Sequence, residues 1–319
     1  MTTYIIRRLF VAIPTLIAIS MVIFGILALA PGDPLSEFAL NPSIPPAVRQ
    51  RIRHNLGLDD PIPVRYGKWA QSVVKGDFGY SFQTRSPVLD QIKQRLPVTL
   101  MIIGSSYVIS VLLAIPIGIL AAVKQYSVYD NVVTTLSFFG FSSPTFFTGL
   151  LFILLFTIKL GWFPMIYRSN IDTPGLAGVW EHIRQAVMPI AVLALFQTAT
   201  LARYVRASML EVIHQDYVRT ARAKGLHEGT VINRHALKNA LIPVITIIAL
   251  GVPGVFTGAV VTEQIFRVPG IGSLLITAIN ASDTPVIMAI SIIFAALVVF
   301  FNLVADILYG VFDPRIKYS

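Results

Sequence analysis

The sequence predicts an all-α transmembrane protein with six membrane-spanning helices. Of its 319 residues, 55% are hydrophobic and 13% are charged, and the mean hydropathy is +0.73. A soluble domain of this length cannot bury so much apolar surface in one core. The apolar residues also collect in runs long enough to cross a hydrocarbon layer of about 30 Å, which takes about 20 helical residues.

Polar segments separate the six predicted spans. The spans cover residues 9–30, 97–123, 132–158, 187–205, 241–262 and 286–309. The first follows Arg7 and Arg8 and is too long for a simple signal-peptide core, so we expect a retained helix. The fourth carries Gln197, Thr198 and Thr200, which favours contacts with other helices over contacts with lipid.

The distribution of cations predicts the orientation. With the N-terminus inside, twelve lysines and arginines lie on inner segments and four on the two short outer loops. The other nine lie in the long loop after the first span, where the positive-inside rule has little weight because long loops cross regardless of charge. We therefore expect a multi-pass membrane protein with both termini in the cytoplasm. The net charge of +9 indicates topology and lipid headgroups rather than nucleic acid.

This topology divides the chain into four segments. They are the N-terminal segment with the first span at 1–30, an extracytoplasmic loop at 31–96, a core of five spans at 97–310 and a cytoplasmic tail at 311–319. The core includes a polar cytoplasmic segment at 211–239.

The long outer loop is the largest piece outside the membrane. It predicts two short helices, at 46–56 before Gly57 and at 66–74 before Gly76, and an aromatic turn at 76–82. Two interpretations remain open. The loop either caps the outer mouth and docks a partner, or only connects and covers helix ends.

The sequence lacks the usual signatures of an enzyme. It has no phosphate-binding G-x-x-x-x-G-K-[ST] motif, no H-E-x-x-H, no G-x-S-x-G, no dinucleotide fingerprint and no cysteine. The five histidines lie outside the spans without metal-ligand spacing. We expect no catalytic site, no metal and no cofactor bound by this chain.

Three acids lie in or at the edge of the predicted spans, where a carboxylate is costly. Glu263 and Asp283 are expected at solvated outer ends. Asp306 is expected to be a structural hydrogen-bond partner near the inner end of the sixth span, on one polar face with Asn302.

The polar segment 211–239 predicts a short helix that is well marked at both ends. Asp216 suits its start, because an acid there accepts free backbone N–H groups and meets the positive end of the helix dipole. Arg222 and Lys224 suit its last turn. Gly225 supplies the left-handed conformation that ends it, and a second helix is predicted to start at 228–230.

One face of this helix is small. Tyr217, Ala221 and Gly225 are spaced four residues apart, so we expect that face to enter a groove closely, while Arg219 and Arg222 pair with groups on its rim. The alternative is an amphipathic helix that binds anionic lipid. That alternative explains the charge but not the small face, so docking to another protein is favoured.

These residues resemble a known family. The stretch Asp216-Tyr-Val-Arg-Thr-Ala-Arg-Ala-Lys-Gly-Leu226, followed by Arg234-His-Ala-Leu-Lys-Asn-Ala-Leu-Ile-Pro243, is similar to the cytoplasmic coupling loop of ABC importer permeases, in particular the dipeptide, oligopeptide and nickel family. Arg219 and Thr220 depart from the general pattern, in which the first position is usually Glu, whereas Ala221 and Gly225 keep their places.

Further motifs extend the likeness along nearly the whole chain. They are Arg7-Arg8-Leu9, Pro31-Gly-Asp-Pro34, Asn55-Leu-Gly-Leu58, Gly76-Asp-Phe-Gly-Tyr-Ser81, Arg95-Leu-Pro-Val-Thr99, Glu263-Gln-Ile-Phe-Arg-Val-Pro-Gly-Ile-Gly272 and Asp313-Pro-Arg315. The resemblance implies a six-helix type I ABC importer permease with a cytoplasmic coupling helix. Its partners would be a second homologous permease, two ATPases that bind ATP and Mg, and an extracytoplasmic solute-binding protein.

In such an assembly the helix at 216–225 would lie in a cleft of the ATPases and transmit their closure to the spans. Peptides are the expected cargo, with nickel chelates, glutathione or oligosaccharides as alternatives. From other classes, a stand-alone channel or ion-coupled carrier and a membrane scaffold or receptor also remain.

The wall of the transport path is expected on the fifth span. Gly251, Gly254, Thr257 and Gly258 are small there, and small side chains permit either close helix contact or an open lumen. Prolines within the spans, Pro144 among them, are expected to be static kinks for the most part.

Overall fold

The computed structural model describes residues 2–29, 45–55, 57–168 and 175–312. Twelve α-helices run through this part of the chain. They are α1 (Thr2–Leu29), α2 (Pro46–Asn55), α3 (Ile62–Val74), α4 (Val88–Val123), α5 (Val128–Ser142), α6 (Thr145–Phe152), α7 (Leu176–Ile213), α8 (Asp216–Ala223), α9 (Glu228–Thr230), α10 (Leu237–Ile265), α11 (Ile271–Asn280) and α12 (Thr284–Phe312). Two π-helical segments, Ile153–Lys159 and Val231–Ala236, extend α6 and lead into α10.

The helices confirm the predicted number of spans. Within the described residues five are long and apolar enough to cross a membrane, and a sixth span results if the bent pair α5 and α6 counts as one. The motifs predicted at 31–34 and 313–315 lie outside the described residues.

The third span differs from its prediction. A continuous helix over 132–158 is wrong, because the chain bends by 106° between α5 and α6. Ser143 is extended, with φ −79° and ψ 124°, and Pro144 follows it. Proline disfavours helical backbone in the residue before it and cannot donate the hydrogen bond that would continue the helix, so this proline breaks the span rather than kinking it.

Two spans are longer than predicted. The second starts at Val88 rather than at residue 97, and Pro97 lies inside the helix. Helix α7 runs for 38 residues and contains Pro189. Residues 88–96 therefore belong to a membrane helix that projects beyond the predicted span, and not to the outer loop.

Helices α4 and α7 form the central pair, and small residues bring them together. A Cβ atom on Gly118 would lie 2.6 Å from Cβ of Val205. On the other side of α7, a Cβ on Gly140 of α5 would lie 2.9 Å from Cβ of Ala199. Side chains larger than hydrogen do not fit at either contact, so glycine sets how closely these helices pack.

The first and last spans are antiparallel neighbours. Arg8 Nη1 lies 3.1 Å from Asp306 Oδ2 near one membrane surface. Asp306 is therefore a structural partner, as predicted, although the recorded partner is Arg8 and not Asn302.

The outer loop folds back onto the end of α1. Its two helices confirm the predictions, and the φ angles of +65° at Gly57 and +81° at Gly76 are the left-handed conformations expected at these stops. The hydroxyls of Ser20 and Tyr66 are 2.9 Å apart. Trp69 packs tilted against Phe24, with ring centroids 6.0 Å apart.

Candidate functional site

The polar segment between α7 and α10 packs against the ends of these two helices. Val218 and Ala221 of α8 are buried in one apolar cluster with Met209 at the end of α7 and with Val231 and Ala236 before α10. Ser208 Oγ donates to the carbonyl of Ala240 at 2.7 Å and ties the two long helices beside this cluster. A displacement of α8 would therefore directly affect two spans, α7 and α10.

This seating corrects the predicted docking face. Ala221 is 5% exposed, so it faces the protein's own interior and is not available to a groove on another protein. Helical periodicity predicts that Tyr217, Ala221 and Gly225 share one face. In the structure, the side of α8 that carries Ala221 packs on the apolar cluster. Tyr217, Arg219, Lys224 and Gly225 stay exposed.

The ends of α8 agree with the sequence in position but not fully in chemistry. The helix begins at Asp216, yet the Asp216 side chain is 95% exposed and lies 3.5 Å from Arg219 Nη1. The residue before it, Gln215, makes no side-chain cap bond either, so the predicted capping by Asp216 is not present. Gly225 has a φ of +75°, as predicted, and a Cβ there would meet no described atom within 4 Å. Glycine is therefore favoured at this position by the backbone conformation and not by a lack of space for a side chain.

An ion pair links α8 to the start of the next helix. Arg222 Nη2 donates to Glu228 Oε1 at 2.8 Å, and Arg222 Nε lies 3.2 Å from both carboxylate oxygens. The hydrogen bonds to Glu228 raise the pKa of Arg222 above its ordinary value. Arg222 was expected to pair with another protein, and the structure instead pairs it within the segment.

The four candidate path residues of α10 divide between contact and open space. A Cβ on Gly251 would lie 2.7 Å from Tyr107 Oη, and one on Gly258 would lie 3.2 Å from Leu193 Cδ2. A Cβ on Gly254 would meet no described atom within 4 Å. Gly251 and Gly258 thus serve helix contact, and the side chain of Thr257 lies outside what the structure describes.

Glu263 is buried, which contradicts the prediction of a solvated outer end. It is 1% exposed at the end of α10. Thr99 Oγ1 donates to Glu263 Oε1 at 2.6 Å, and the backbone N–H of Ser273 donates to Oε2 at 3.0 Å. A Cβ on Gly270 would collide with this carboxylate. Glu263 therefore joins α4, α10 and the start of α11.

Asp283 is buried as well, and the predicted solvation is again wrong. It accepts hydrogen bonds from Ser81 Oγ and, at 3.0 Å, from the backbone N–H of Phe82. The N–H of Gln83 lies 3.3 Å from its second oxygen. The carboxylate thus anchors the outer loop to the start of α12.

The sequence reasoning missed one further buried acid. Asp130, in the first turn of α5, forms a two-pronged ion pair with Arg206 of α7, at 2.5 Å from Nε and 2.8 Å from Nη2. Asp130 lies just ahead of the predicted third span, where an acid looks like part of a polar loop. An acid two residues before a predicted span, in a chain with few acids, is the signal that could have indicated a buried pair.

Two protein-family profiles match the sequence of this chain. The profile described as "Binding-protein-dependent transport system inner membrane component" matches residues 114–318. A second profile, for the N-terminal part of such membrane components, matches residues 1–103.

Curated relatives match over their full length. The chain is 43% identical to the oligopeptide transport system permease protein AppB of Bacillus subtilis and 37% identical to the dipeptide transport system permease protein DppB of Alkalihalophilus pseudofirmus, with 100% of each chain covered. It is 40% identical to a putative peptide transport system permease protein of Brucella abortus, again with 100% of both chains covered. Among solved structures, an amino acid ABC transporter with histidines matches with a TM-score of 0.51 and 15% identity, over 72% of this chain and 95% of that one.

Proposed function

The chain belongs to the binding-protein-dependent transport system inner membrane components, and we propose that it is the peptide-importing permease subunit of an ATP-driven transporter. Its cargo is di- or oligopeptides, as the names of its relatives state for those proteins. ATP and Mg bind to partner subunits, and this chain forms half of the path with a second, homologous permease. An extracytoplasmic binding protein delivers the peptide.

One observation supports the coupling role most directly. Helix α8 is anchored through Val218 and Ala221 to the ends of α7 and α10, while Tyr217 and Arg219 point outward. The anchored side transmits force to two spans, and the outward side contacts the ATPase. In this proposal α8 lies in the cytoplasm and the loop at 31–96 lies outside, which agrees with the cation distribution.

The ion pair between Arg222 and Glu228 keeps α8 rigidly connected to the helix that follows it. The pair joins α8 to α9 across Gly225, the left-handed residue between them. A displacement of α8 therefore reaches the π-helical segment and α10 without being lost in the connecting turn.

The test uses the complete transporter reconstituted in vesicles. Tyr217→Ala is expected to lower peptide uptake and peptide-stimulated ATP hydrolysis together, because it removes the exposed aromatic side chain of α8. Tyr80→Ala is the matched control, since Tyr80 is also an exposed tyrosine but belongs to the outer loop. Failure of the chain to co-purify with an ATPase would exclude the proposal in favour of a stand-alone channel or carrier.

Cargo is tested separately with the binding protein. Binding of di- and oligopeptides, and competition by nickel chelates, glutathione and oligosaccharides, are measured on the partner that delivers substrate. Binding of one of these competitors without peptide binding would reassign the cargo and leave the permease role intact.

A further inference from the structure

A cleft of about 480 Å³ opens between the first span, the outer loop and the last span. Its walls come from the end of α1, from α3, from the turn at 76–82 and from the start of α12. None of the coupling or path residues discussed above contributes to it, so the proposed transport role does not account for it.

The cleft changes from apolar to polar along the membrane normal. Phe24 lies five residues before the end of α1, and Met288 lies four residues after the start of α12. At a rise of about 1.5 Å per residue, both lie roughly 6–8 Å from the helix ends, towards the middle of the spans. Arg65, Lys68 and Asp77 line the part formed by the outer loop. Such a gradient matches the boundary between acyl chains and headgroups.

Of the two cations in the cleft, one is already neutralised. Lys68 Nζ lies 2.6 Å from Asp60 Oδ2, and this hydrogen bond lowers the pKa of the Asp60 carboxyl. Arg65 has its guanidinium 5.9 Å from the centre of the Phe24 ring and no carboxylate within 4 Å among the described residues. Arg65 therefore offers a guanidinium that makes no direct ion pair among the described residues and lies over an apolar floor, which suits a phosphate.

The cleft also holds one acid. Asp77 uses Oδ1 to accept the backbone N–H of Gly79 at 2.9 Å. Its carboxylate keeps acceptor positions for an ammonium donor. A cation for phosphate and an acid for ammonium, in one cleft, match a zwitterionic headgroup with a primary amine.

The membrane side of the cleft leads onto the exposed surface of α1. Ile17 and Met21 lie seven and three residues before Phe24, so they share its side of the helix, and both are exposed. Trp69 and Tyr66 stand beside Phe24 near the helix end, as aromatic residues do at a membrane interface. An acyl chain attached to a headgroup in the cleft can follow this surface into the bilayer.

We propose that this cleft binds a phospholipid with an ethanolamine headgroup, with its phosphate on Arg65 and its ammonium on Asp77. The lipid comes from the leaflet on the side of the long loop. It wedges between the loop and the end of α1, so it holds the outer loop on the membrane surface.

Trp69 provides the reporter. The chain has three tryptophans. Replacing the exposed Trp162 and Trp180 by phenylalanine leaves Trp69, which lines the cleft, as the only tryptophan of the chain. The full chain in nanodiscs is titrated with brominated phosphatidylethanolamine or brominated phosphatidylcholine in a background of unlabelled phosphatidylcholine, and quenching of Trp69 is followed.

The ethanolamine lipid is expected to quench Trp69 at about tenfold lower mole fraction than the choline lipid, the ratio given by one charge-assisted hydrogen bond of roughly 1.4 kcal/mol. Arg65→Gln should weaken both lipids by a similar factor, because both carry the phosphate, whereas Asp77→Asn should abolish the preference by weakening the ethanolamine lipid alone. Lys75→Gln, which removes a charge of the same loop outside the cleft, is the control and should behave like the parent. Arg65→Lys keeps the charge and should retain part of the affinity for both lipids.

Three results would overturn the proposal. One is unchanged binding of both lipids in Arg65→Gln. Another is equal quenching by both lipids in the parent. The third is full protection of Trp69 by soluble phosphoethanolamine at a concentration matching the lipid, which would assign the cleft to a free metabolite. Peptide uptake is not the readout, so failure here and failure of the transport role are distinguishable.

Discussion

Thr99 on the second span and Glu263 at the end of the fifth are joined by a hydrogen bond of 2.6 Å, although 164 positions separate them in the chain. The same Thr99 oxygen accepts the backbone N–H of Ile271 at 2.8 Å. One hydroxyl therefore connects a buried carboxylate with the first turn of α11, and it fixes how that short helix sits against two spans.

Removing this hydroxyl should destabilise the protein. In Thr99→Val the shape is kept, but Glu263 loses a donor inside the protein, which costs about 1–3 kcal/mol. Thr99→Ser keeps the oxygen and should stay close to the parent. Thermal unfolding in nanodiscs measures both, and a Thr99→Val variant as stable as the parent would contradict this role of the hydroxyl.

The contact at Gly118 gives a second prediction with a control in the same helix. Gly118→Ala places a methyl group 2.6 Å from Val205 Cβ and should separate α4 from α7, at a cost of about 1–3 kcal/mol for overpacking. Gly104→Ala adds the same methyl group where no described atom lies within 4 Å. We expect it to be neutral or to stabilise by up to about 1 kcal/mol. Equal unfolding temperatures of the two variants would contradict the role of Gly118.

Asp283 should control how firmly the outer loop is held. In Asp283→Ala, the Ser81 hydroxyl and the N–H groups of Phe82 and Gln83 lose their acceptor, so the loop detaches more often and limited proteolysis within residues 57–87 should accelerate. Lys75→Ala removes an exposed charge of the same loop and serves as the control, with a protease that does not cleave at lysine. Identical cleavage rates in the two variants would argue that the loop is held by other contacts.

The ion pair between Arg222 and Glu228 should matter for coupling more than for stability, because both side chains are partly exposed. Glu228→Ala is expected to lower peptide uptake per ATP hydrolysed while leaving the unfolding temperature nearly unchanged. Exchanging the two residues, in Arg222→Glu with Glu228→Arg, should recover a large part of the coupling. If the exchange variant couples no better than Glu228→Ala, the pair acts through its individual charges and not as a brace.

Features that depend on neighbouring residues could be predicted from the sequence. The spans follow from apolar runs longer than a bilayer needs, and the stops at Gly57, Gly76 and Gly225 follow from the left-handed backbone that glycine alone adopts easily. The start of α8 at Asp216 belongs to the same class. The family likeness rested on such short motifs, and the profile matches over both halves of the chain confirm it.

Two expectations failed because they depended on distant partners, and a third failed because helical periodicity does not show which face is covered. Glu263 and Asp283 were expected in water because acids at span ends usually are, but each meets donors more than 160 positions away. Ala221 was expected to face another protein, since periodicity shows which residues share a face but not which face the rest of the chain covers.

The sequence by itself determined the class of the protein, the number of its spans and the position of the helix that we propose as its lever, because hydropathy and backbone preference act over a few residues. Only the tertiary structure decided which side of that helix is free, where the third span breaks into two directions and which groups neutralise the buried acids. Those features arise when segments far apart in the chain compete for the same space and the same hydrogen bonds, and no local pattern records the outcome.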